Sequence, residues 1–269
     1  MDEKEIIVPF LKWAGGKRWL VSNYIDQFPK AFDRYVEPFV GSAAVFFFLR
    51  PTTAILSDIN PELMNVYQAV KRRPDLVERY LRIHHIRHSK NYYYNMRGKI
   101  PLSSYSRAAR TIYLNRTCWN ALYRVNRQGI FNVPIGTKTN VLLPSDQFEE
   151  ISKLLKHVTL LVADFERVIE ESRKGDFVFV DPPYTVKHKL NGFIKYNETI
   201  FSWSDQLRLR DAIENAAIRG AKVLVTNADH HSLRRLYGDF KISTLQRASV
   251  IAANSDARGK FDELLIRCW

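Results

Sequence analysis

The sequence predicts an α/β fold, in which a largely parallel β-sheet is covered by helices and interrupted by one inserted, mostly helical subdomain. Two observations predict this fold. Short apolar runs rich in β-forming residues alternate with longer segments of helical periodicity, which is the pattern of parallel strands joined by helices. About 100 residues separate the second run from the third. A single connection of that length is rare, so the interval is predicted to be an inserted subdomain.

Each predicted strand ends in a turn or acidic residue and is followed by a predicted helix. The strands cover residues 34–39, 53–58, 157–163, 177–181 and 221–227, and the helices after them cover 42–49, 61–72, 164–172, 204–219 and 231–236. Pro61 suits the first turn of its helix, where a backbone N–H is not needed. Two late β-like stretches, 241–248 and 263–269, are predicted to form an antiparallel edge.

The positive charge is concentrated in the predicted insertion. The chain has 269 residues, with 41 Lys and Arg against 28 Asp and Glu and a net charge of +13. Residues 71–138 contain 15 of these basic residues and only two acids, Asp75 and Glu78, so the remainder is formally neutral. Such a block favours a polyanionic partner, and the alternative is a solvated basic helical face.

The chain is therefore predicted to consist of a catalytic or structural domain, residues 1–60 and 157–269, and a basic subdomain, residues 61–156. The subdomain is predicted to be helical over 66–80 and 106–125, with a polar loop at 127–139.

Composition excludes several classes of protein. Hydrophobic residues make up 46% of the chain, which is typical of a globular protein. No apolar run approaches the roughly 18 residues of a membrane helix. Cys118 and Cys268 are too few for a disulfide framework or a four-cysteine zinc site, so a reducing cytoplasm is expected. His84, His85 and His88 have helical spacing but no acidic or cysteine partners, which favours a solvated basic face over a metal site.

The most informative motif is Asp181-Pro182-Pro183-Tyr184, which directly follows the apolar strand at 177–180. Two prolines cannot continue a sheet, so the strand is predicted to end in a rigid loop at its carboxyl edge, where α/β sheets bind ligands. Asp181 and the Pro182 carbonyl could accept the two N–H bonds of an aromatic exocyclic amine while Tyr184 stacks on the ring. The alternative is a tight structural turn.

Three further acids are predicted at the same edge of the sheet. Glu37 lies in a strand that runs through Pro38, Phe39 and Gly41 into an apolar helix. Asp58 ends the next strand about 20 residues on, where an acid commonly binds ribose hydroxyls. Asp164 ends the third. Each acid alone could be a helix cap or turn residue.

A glycine-rich segment, Trp13-Ala14-Gly15-Gly16-Lys17, lies near the N-terminus. It lacks the spacing of a Walker phosphate loop and no clear strand precedes it, so nucleotide hydrolysis is not predicted. Lys17 is expected to meet a carboxylate instead.

These motifs together carry a family resemblance. Residues 10–17 (FLKWAGGK), 36–41 (VEPFVG), 57–60 (SDIN) and 181–184 (DPPY) occur in the order seen in Dam-type DNA adenine-N6 methyltransferases, the D12 class with α-type motif order. The closing 260–265 (KFDELL) and a stretch at 113–136 are also similar to that family. The sequence resembles it over nearly its whole length. It departs at Ala43, where relatives often have a second glycine, and altered packing rather than lost binding is expected there.

The resemblance implies a Rossmann-like S-adenosylmethionine-dependent methyltransferase sheet with an inserted, mostly helical DNA-recognition subdomain. The implied cofactor is S-adenosyl-L-methionine, without a metal. Asp58 would contact its ribose, Asp164 and Phe165 its adenine, and residues 37–41 its methionine part. The implied cofactor contacts also include Trp13, Gly15, Gly16, Lys17 and Asp181. Asp181, Pro182, Pro183 and Tyr184 would hold the target base.

The expected substrate is double-stranded DNA, whose phosphates would bind the basic subdomain while one adenine flips out of the stack. Its amine would then attack the methyl group in line. Lys12, Leu122, Arg124 and Pro134 match positions that read GATC in Dam-like enzymes, and an arginine can read guanine through two hydrogen bonds. Trp119 is either a wedge for the space left by the flipped base or a core tryptophan. The other predicted DNA-binding residues are Arg116, Asn120, Asn126, Asn132 and Lys138.

Three alternatives remain at this stage. An RNA adenine methyltransferase or a protein glutamine methyltransferase uses similar loop chemistry, although the glutamine enzymes typically have Asn where this chain has Asp181. A non-catalytic DNA-binding module explains the basic block but not the acids. We expect a monomer associated with the nucleoid, no membrane partner and, if it serves a restriction system, a cognate endonuclease.

Overall fold

The computed structural model describes residues 7–121, 123–125, 130–184, 201–248 and 260–269. Its strands are β1 (Arg34–Glu37), β2 (Ala54–Asp58), β3 (Val158–Val162), β4 (Asp176–Val180), β5 (Lys222–Ala228), β6 (Lys241–Ala248) and β7 (Lys260–Cys268). Its α-helices are α1 (Arg18–Asn23), α2 (Ala44–Leu49), α3 (Pro61–Arg72), α4 (Pro74–Arg87), α5 (Lys90–Gly98), α6 (Ser104–Thr117), α7 (Phe148–Leu155), α8 (Phe165–Glu170), α9 (Trp203–Ile218) and α10 (His231–Leu236).

The seven strands form one sheet in the order β3-β2-β1-β4-β5-β7-β6. β1 pairs with β4, β2 with β3, and β4 with β5 in parallel. β7 pairs antiparallel with both β5 and β6. This Rossmann-like arrangement confirms the predicted α/β fold and its antiparallel edge.

The central strand, β4, corresponds to the apolar run that predicted a strand over residues 177–181. All five residues of β4 are buried, as expected for a strand of a parallel sheet covered on both faces. The ring of Phe28 packs against Phe177 and Phe179, with centroids 5.9 and 6.2 Å away. β4 begins at Asp176, which is held by a 2.6 Å ion pair with Arg34.

The long interval between β2 and β3 is helical, as predicted, and contains α3 to α7. Its internal boundaries differ from the prediction. The periodicity over 66–80 is divided between α3 and α4 at Arg73, because Pro74 begins a new helix. α6 ends at Thr117 instead of continuing to residue 125, because Cys118 is extended and pairs with Ile135.

The histidines of α4 do not all lie on a solvated face. His84 is only 4% exposed, stacks on Tyr113 at 4.9 Å and contacts the Tyr92 hydroxyl through Nδ1 at 2.8 Å. Burial and the charge of Arg110 lower the pKa of His84 to about 4, so the ring is neutral near pH 7. Over the part of the chain that the structure describes, no cluster of His, Cys, Asp and Glu could hold a metal ion.

The chain divides into two compact units, and the predicted domain boundaries stay a prediction. The first contains residues 1–23 and 40–162, and the second contains residues 24–39 and 163–269. The first unit includes β2, β3 and the helices of the long interval, whereas the second includes the other five strands. Among the described residues, no helix has the length and apolar character needed to cross a bilayer.

Candidate active site

In the second unit, side chains from neighbouring strands hold both ends of the 181–184 loop. Asp181 follows β4 directly, and its Oδ1 accepts a 2.7 Å hydrogen bond from the hydroxyl of Thr226 in β5. The Tyr184 hydroxyl donates a 2.8 Å hydrogen bond to Oε2 of Glu263 in β7. Thr226 and Glu263 are 0% and 5% exposed, so both bonds lie where water competes little.

The electrostatics of this loop keep its tyrosine protonated. Burial, followed by the negative charges of Asp181 and Glu263, holds the pKa of Tyr184 well above its ordinary value. A neighbouring tyrosine behaves in the same way, because burial and the charges of Glu37 and Asp181 raise the pKa of Tyr35. Glu37 is 3% exposed at the end of β1. The structure therefore brings two of the predicted acids, Glu37 and Asp181, to one buried tyrosine.

An aromatic cluster lies beside Asp164 in the same unit. Phe39 stacks on Phe165 with centroids 5.4 Å apart, and Phe201 packs edge-on against them at 5.7 and 5.6 Å. Pro38, which precedes Phe39, is buried. Phe165 and Phe201 are 5% and 3% exposed, so the half-buried Phe39 is the ring of this group with the most area open to a planar ligand.

Asp164 is held in place by two donors that share one oxygen. Its Oδ1 accepts the backbone N–H of Glu166 at 3.0 Å, as the cap of α8, and Nη2 of Arg208 at 2.9 Å. Arg208 also pairs with Glu166 at 2.6 Å, and its guanidinium lies 4.9 Å from the Phe165 ring centroid. Among the described residues Oδ2 of Asp164 accepts no hydrogen bond, so it can accept one from a ligand.

In the first unit, Gly41 lies between Trp13 and two hydrogen-bonding side chains. Its φ is +46°, and an added Cβ would lie 2.9 Å from Cδ1 of Trp13. The Gly41 N–H donates to Oδ2 of Asp58 at 3.4 Å, and its carbonyl accepts the Tyr67 hydroxyl at 2.8 Å. Only glycine satisfies both the backbone conformation and the close ring contact.

Burial raises the pKa of Asp58 to about 6, although the backbone N–H groups of Asn60 and Gly41 oppose the shift. Its carboxylate accepts the Asn60 N–H at 2.9 Å. Asp58 is half-buried, and a carboxylate in such a place gains from a ligand that supplies hydroxyl donors.

The predicted glycine-rich segment is compact. Trp13 stacks on Tyr123 with ring centroids 5.2 Å apart, and the Gly16 N–H donates to the Trp13 carbonyl at 3.2 Å. Gly15 has a φ of +79°. Lys17 is buried, and its Nζ donates to the Gly15 carbonyl at 2.9 Å. The expected carboxylate contact of Lys17 stays a prediction.

Ala43, where the family resemblance predicted a glycine, adopts a φ of +55°. This left-handed conformation costs a residue other than glycine about 1–2 kcal/mol. The departure therefore affects the backbone as well as packing.

Trp119 lies at the surface, with 54% of its area exposed. Asn120 and Ala121, which follow it, have φ values of +53° and +52°. The Trp119 N–H donates to the Pro134 carbonyl at 2.9 Å, and the Gly136 N–H donates to Thr117 at 2.8 Å. A Cβ at Gly136 would lie 2.5 Å from the Cys118 carbonyl oxygen. The alternative of a core tryptophan is therefore wrong, and the ring is displayed on a firmly held turn.

Two of the predicted DNA-binding lysines are neighbours. A contact with Lys138 comes first among the causes that lower the pKa of Lys12 to about 8, followed by burial and the charges of Lys138 and Arg116. The Lys12 backbone is fixed by two hydrogen bonds to the Asn115 amide, at 2.9 and 2.7 Å. Two ammonium groups this close favour an anion between them. Asn132 and Lys138 are exposed and Arg124 is half-buried, whereas Leu122 and Asn126 lie outside the described residues.

The expectation that Arg116 contacts DNA requires correction. Its side chain is 2% exposed and forms a 2.5 Å ion pair with Asp146. It also donates to the carbonyls of Val141 and Phe10, at 2.6 and 3.0 Å. Its charge is neutralised inside the protein, so this arginine holds chain segments together and is not available to a phosphate.

Sequence reasoning assigned no function to several residues of this arrangement. They are Tyr67, Tyr123, Phe201, Arg208, Thr226 and Glu263. The sequence carried a signal only for Glu263, within the motif at 260–265. The others contact predicted residues that are distant in sequence. The separations run from 26 positions for Tyr67 and Gly41 to 162 positions for Phe201 and Phe39.

The Rossmann-like sheet and the Asp-Pro-Pro-Tyr loop at the end of its central strand define an α/β methyltransferase. A family model described as "D12 class N6 adenine-specific DNA methyltransferase" matches residues 13–251, and the chain belongs to this family.

Curated relatives agree with this assignment. The chain is 36% identical to the type II methyltransferase M1.LlaDCHI of Lactococcus lactis, over 96% of this chain and 94% of that one. It is 36% identical to the type II methyltransferase M.MjaIII of Methanocaldococcus jannaschii, over 94% and 95% of the two chains. It is 32% identical to a DNA adenine methylase of Vibrio cholerae, over 95% and 94%.

Proposed function

We propose that this chain methylates N6 of an adenine that is flipped out of double-stranded DNA, with S-adenosylmethionine as the methyl donor. The observation that carries the proposal is the 181–184 loop, whose Asp181 and Tyr184 are both tethered by buried side chains. A rigid acceptor beside an aromatic ring suits an exocyclic amine, whose lone pair is otherwise delocalised into its ring.

Each unit, taken by itself, carries acceptor groups that fit a part of S-adenosylmethionine. Asp58, with a raised pKa, would accept hydrogen bonds from the ribose hydroxyls. Oδ2 of Asp164 would accept a hydrogen bond from the adenine amine, and the adenine ring would pack against Phe165. Residues 37–41, Trp13, Gly15, Gly16 and Lys17 would complete the contacts. When bound, this cofactor supplies an already activated methyl group.

The residues of the loop would act on the target base by position. Asp181 and the Pro182 carbonyl would each accept one N–H of the target amine and draw its nitrogen towards tetrahedral geometry. Pro183 keeps the backbone rigid, and the Tyr184 ring would stack on the base. Since the pKa of Tyr184 is raised, its hydroxyl remains a hydrogen-bond donor and does not serve as a base. Orientation and electrostatics can supply most of the barrier reduction in such a site.

The basic segment, residues 71–138, would hold the DNA by its phosphates. Lys12, Leu122, Arg124 and Pro134 would contact the site that is read. Asn126, Asn132 and Lys138 would add further contacts to the DNA. Trp119, exposed beside Asn120, would fill the space of the flipped base. We infer GATC as the recognised sequence, from the positions that match Dam-like enzymes. A DNA substrate also favours the expected cytoplasmic location, and the names of the type II relatives favour a cognate restriction endonuclease as a partner of a monomeric enzyme.

The decisive experiment follows radiolabel from S-adenosylmethionine into duplex DNA, RNA and protein, with the natural chain and with Asp181→Ala. We expect label in duplex DNA alone. The variant should lose methyl transfer while DNA binding at low salt survives, because the basic segment is unchanged. Label in RNA or protein, or turnover retained by Asp181→Ala, would overturn the proposal.

The recognition sequence has its own test. Duplex DNA of mixed sequence is methylated with the purified protein and then sequenced for N6-methyladenine. We expect the modified adenines to lie in GATC, and any common motif without GATC refutes that inference while leaving the methyltransferase assignment intact.

A further inference from the structure

The 181–184 loop crosses the carboxyl end of the sheet. Asp181 follows β4 and is bonded to Thr226 in the next strand, β5, whereas Tyr184 is bonded to Glu263 in β7, one strand further on. Adjacent strands are about 4.8 Å apart, so β4 and β7 are separated by roughly 10 Å, a distance that the loop backbone and the Tyr184 and Glu263 side chains bridge together.

We propose that Glu263 is a positioning residue for methyl transfer, which sets the Tyr184 ring in the plane that stacks on the target base. The inference rests on the proposed function of the loop and extends it to the antiparallel edge of the sheet. The inference gives a role to the motif at 260–265, which contains Glu263 and has no role in the proposed binding of cofactor or base.

The ring needs such a tether because the backbone fixes only one of its ends. Pro182 and Pro183 restrict the chain before Tyr184, but the tyrosine side chain still rotates about two torsions. A hydrogen bond to a carboxylate at the far end of the ring removes that freedom, and a charged acceptor makes the bond stronger than a neutral one.

Glu263 is itself well fixed. Glu263 lies opposite Ala228 in β5 and Leu245 in β6, so strands on both sides hold the backbone of β7 at this position. Its side chain is 5% exposed. Thr226 holds Asp181 in the same way. Its hydroxyl donates a hydrogen bond to Oδ1 of Asp181, and Thr226 itself is fully buried. Each end of the loop is therefore held by a different strand.

A double-mutant cycle tests the inference. Single-turnover methylation of duplex DNA is measured for the natural chain, Tyr184→Phe, Glu263→Leu and the double variant. Each single variant breaks the same tether, so we expect each to slow the step about 10-fold and the double variant to be no slower than either. Cofactor affinity should stay within about 3-fold throughout, since neither residue is assigned to cofactor binding.

Controls separate positioning from general damage. Glu263→Gln keeps an acceptor oxygen and should retain the rate within about 3-fold. If Glu263→Leu does not fold, the comparison of Tyr184→Phe with Tyr237→Phe and Glu263→Gln carries the test. Tyr237→Phe is a matched control, because Tyr237 is also buried in this unit and its hydroxyl has no partner among the described residues. It should be as fast as the natural chain.

The outcomes that would overturn the inference are distinct. A Glu263→Leu protein with the natural rate, or rate losses that multiply in the double variant, would show that the two side chains act separately. A Glu263→Gln protein as slow as Tyr184→Phe would assign the effect to charge and not to the tether. If the natural chain itself does not methylate DNA, the proposed function fails instead.

Discussion

Arg116 and Asp146, which are 30 residues apart in sequence, form a buried bidentate ion pair. The Arg116 Nη2 to Asp146 Oδ1 distance is 2.5 Å, and the Nη1 to Oδ2 distance is 2.7 Å. The remaining donations to the Val141 and Phe10 carbonyls attach α6 to the N-terminal segment and to the chain before α7. The most conspicuous arginine of the predicted recognition stretch is therefore part of the interior.

Charge reversal at Arg116 should consequently destabilise the folded protein. Arg116→Glu places two carboxylates together in the interior, and breaking a buried pair costs about 3–5 kcal/mol. Thermal unfolding measures the loss. Arg82→Glu is the control, since Arg82 pairs with Glu78 at the surface, where an ion pair contributes about 0–1 kcal/mol. An Arg116→Glu protein with an unchanged melting temperature and weakened DNA binding would instead restore Arg116 as a phosphate contact.

Lys138 is the better site for testing the basic segment. It is exposed and lies beside Lys12. Lys138→Glu should weaken binding to duplex DNA at least 10-fold at low salt, and the slope of log affinity against log salt should fall by about one, as expected for one lost phosphate contact. Lys156→Glu makes the same charge change at an exposed lysine outside residues 71–138 and should have little effect. Equal losses in both variants would mean that only net charge matters.

The same lysine pair should make DNA binding depend on pH. Lys12 is protonated below its pKa of about 8 and loses its charge as the pH rises above that value. DNA affinity should thus fall between pH 7 and 9. Lys138→Met removes the neighbouring ammonium group that lowers the pKa of Lys12 and should therefore raise that pKa. The DNA affinity of this variant should be weaker at pH 7 but change less over this range. Affinity measured by fluorescence anisotropy at constant ionic strength checks this, and parallel profiles would contradict it.

Asp58 should make cofactor binding weaker as the pH falls, whereas the lysine pair makes DNA binding weaker as the pH rises. Its carboxyl has a pKa raised to about 6, so in the ligand-free protein it gains a proton as the pH falls below that value. Ribose hydroxyls need the ionised acceptor. The dissociation constant of S-adenosylmethionine should therefore rise towards 10-fold per pH unit below about 6 and be level above it. Calorimetry from pH 5 to 8 measures this. Asp58→Asn should bind weakly with no such dependence, and a level profile for the natural chain would remove Asp58 from the cofactor site.

Features fixed by local sequence could be predicted well. The run Phe177–Val180 could be recognised as a buried strand because a sheet covered on both faces needs apolar residues throughout. The late edge strands followed from their β-forming composition. The Asp-Pro-Pro-Tyr loop followed from proline stereochemistry, since two prolines end a strand wherever they occur.

Features that depend on distant partners could not be predicted. The periodicity of α6 continues past Thr117, and the helix stops there because Cys118 pairs with Ile135 and Gly136 bonds back to Thr117. The sequence around Arg116 is equally compatible with a phosphate contact, since its partner Asp146 is 30 residues away. Glu263 reaches Tyr184 over 79 residues, and only the sheet order brings them together.

Arg208 gives the last prediction, because it contacts Asp164 and Phe165, the residues proposed to bind the adenine. It donates to Oδ1 of Asp164 at 2.9 Å and lies over the Phe165 ring, while Oδ2 of Asp164 remains for the ligand. Arg208→Met should raise the dissociation constant of S-adenosylhomocysteine about 10-fold, because Asp164 is then free to rotate. It should also reduce discrimination against the inosine analogue, which lacks the amine. Arg210→Met is the matched control on the same helix, since Arg210 pairs with Glu214 and Asp239 instead. If both ligands weaken equally in Arg208→Met, the arginine supports only the fold of α8 and α9 and has no part in selecting the base.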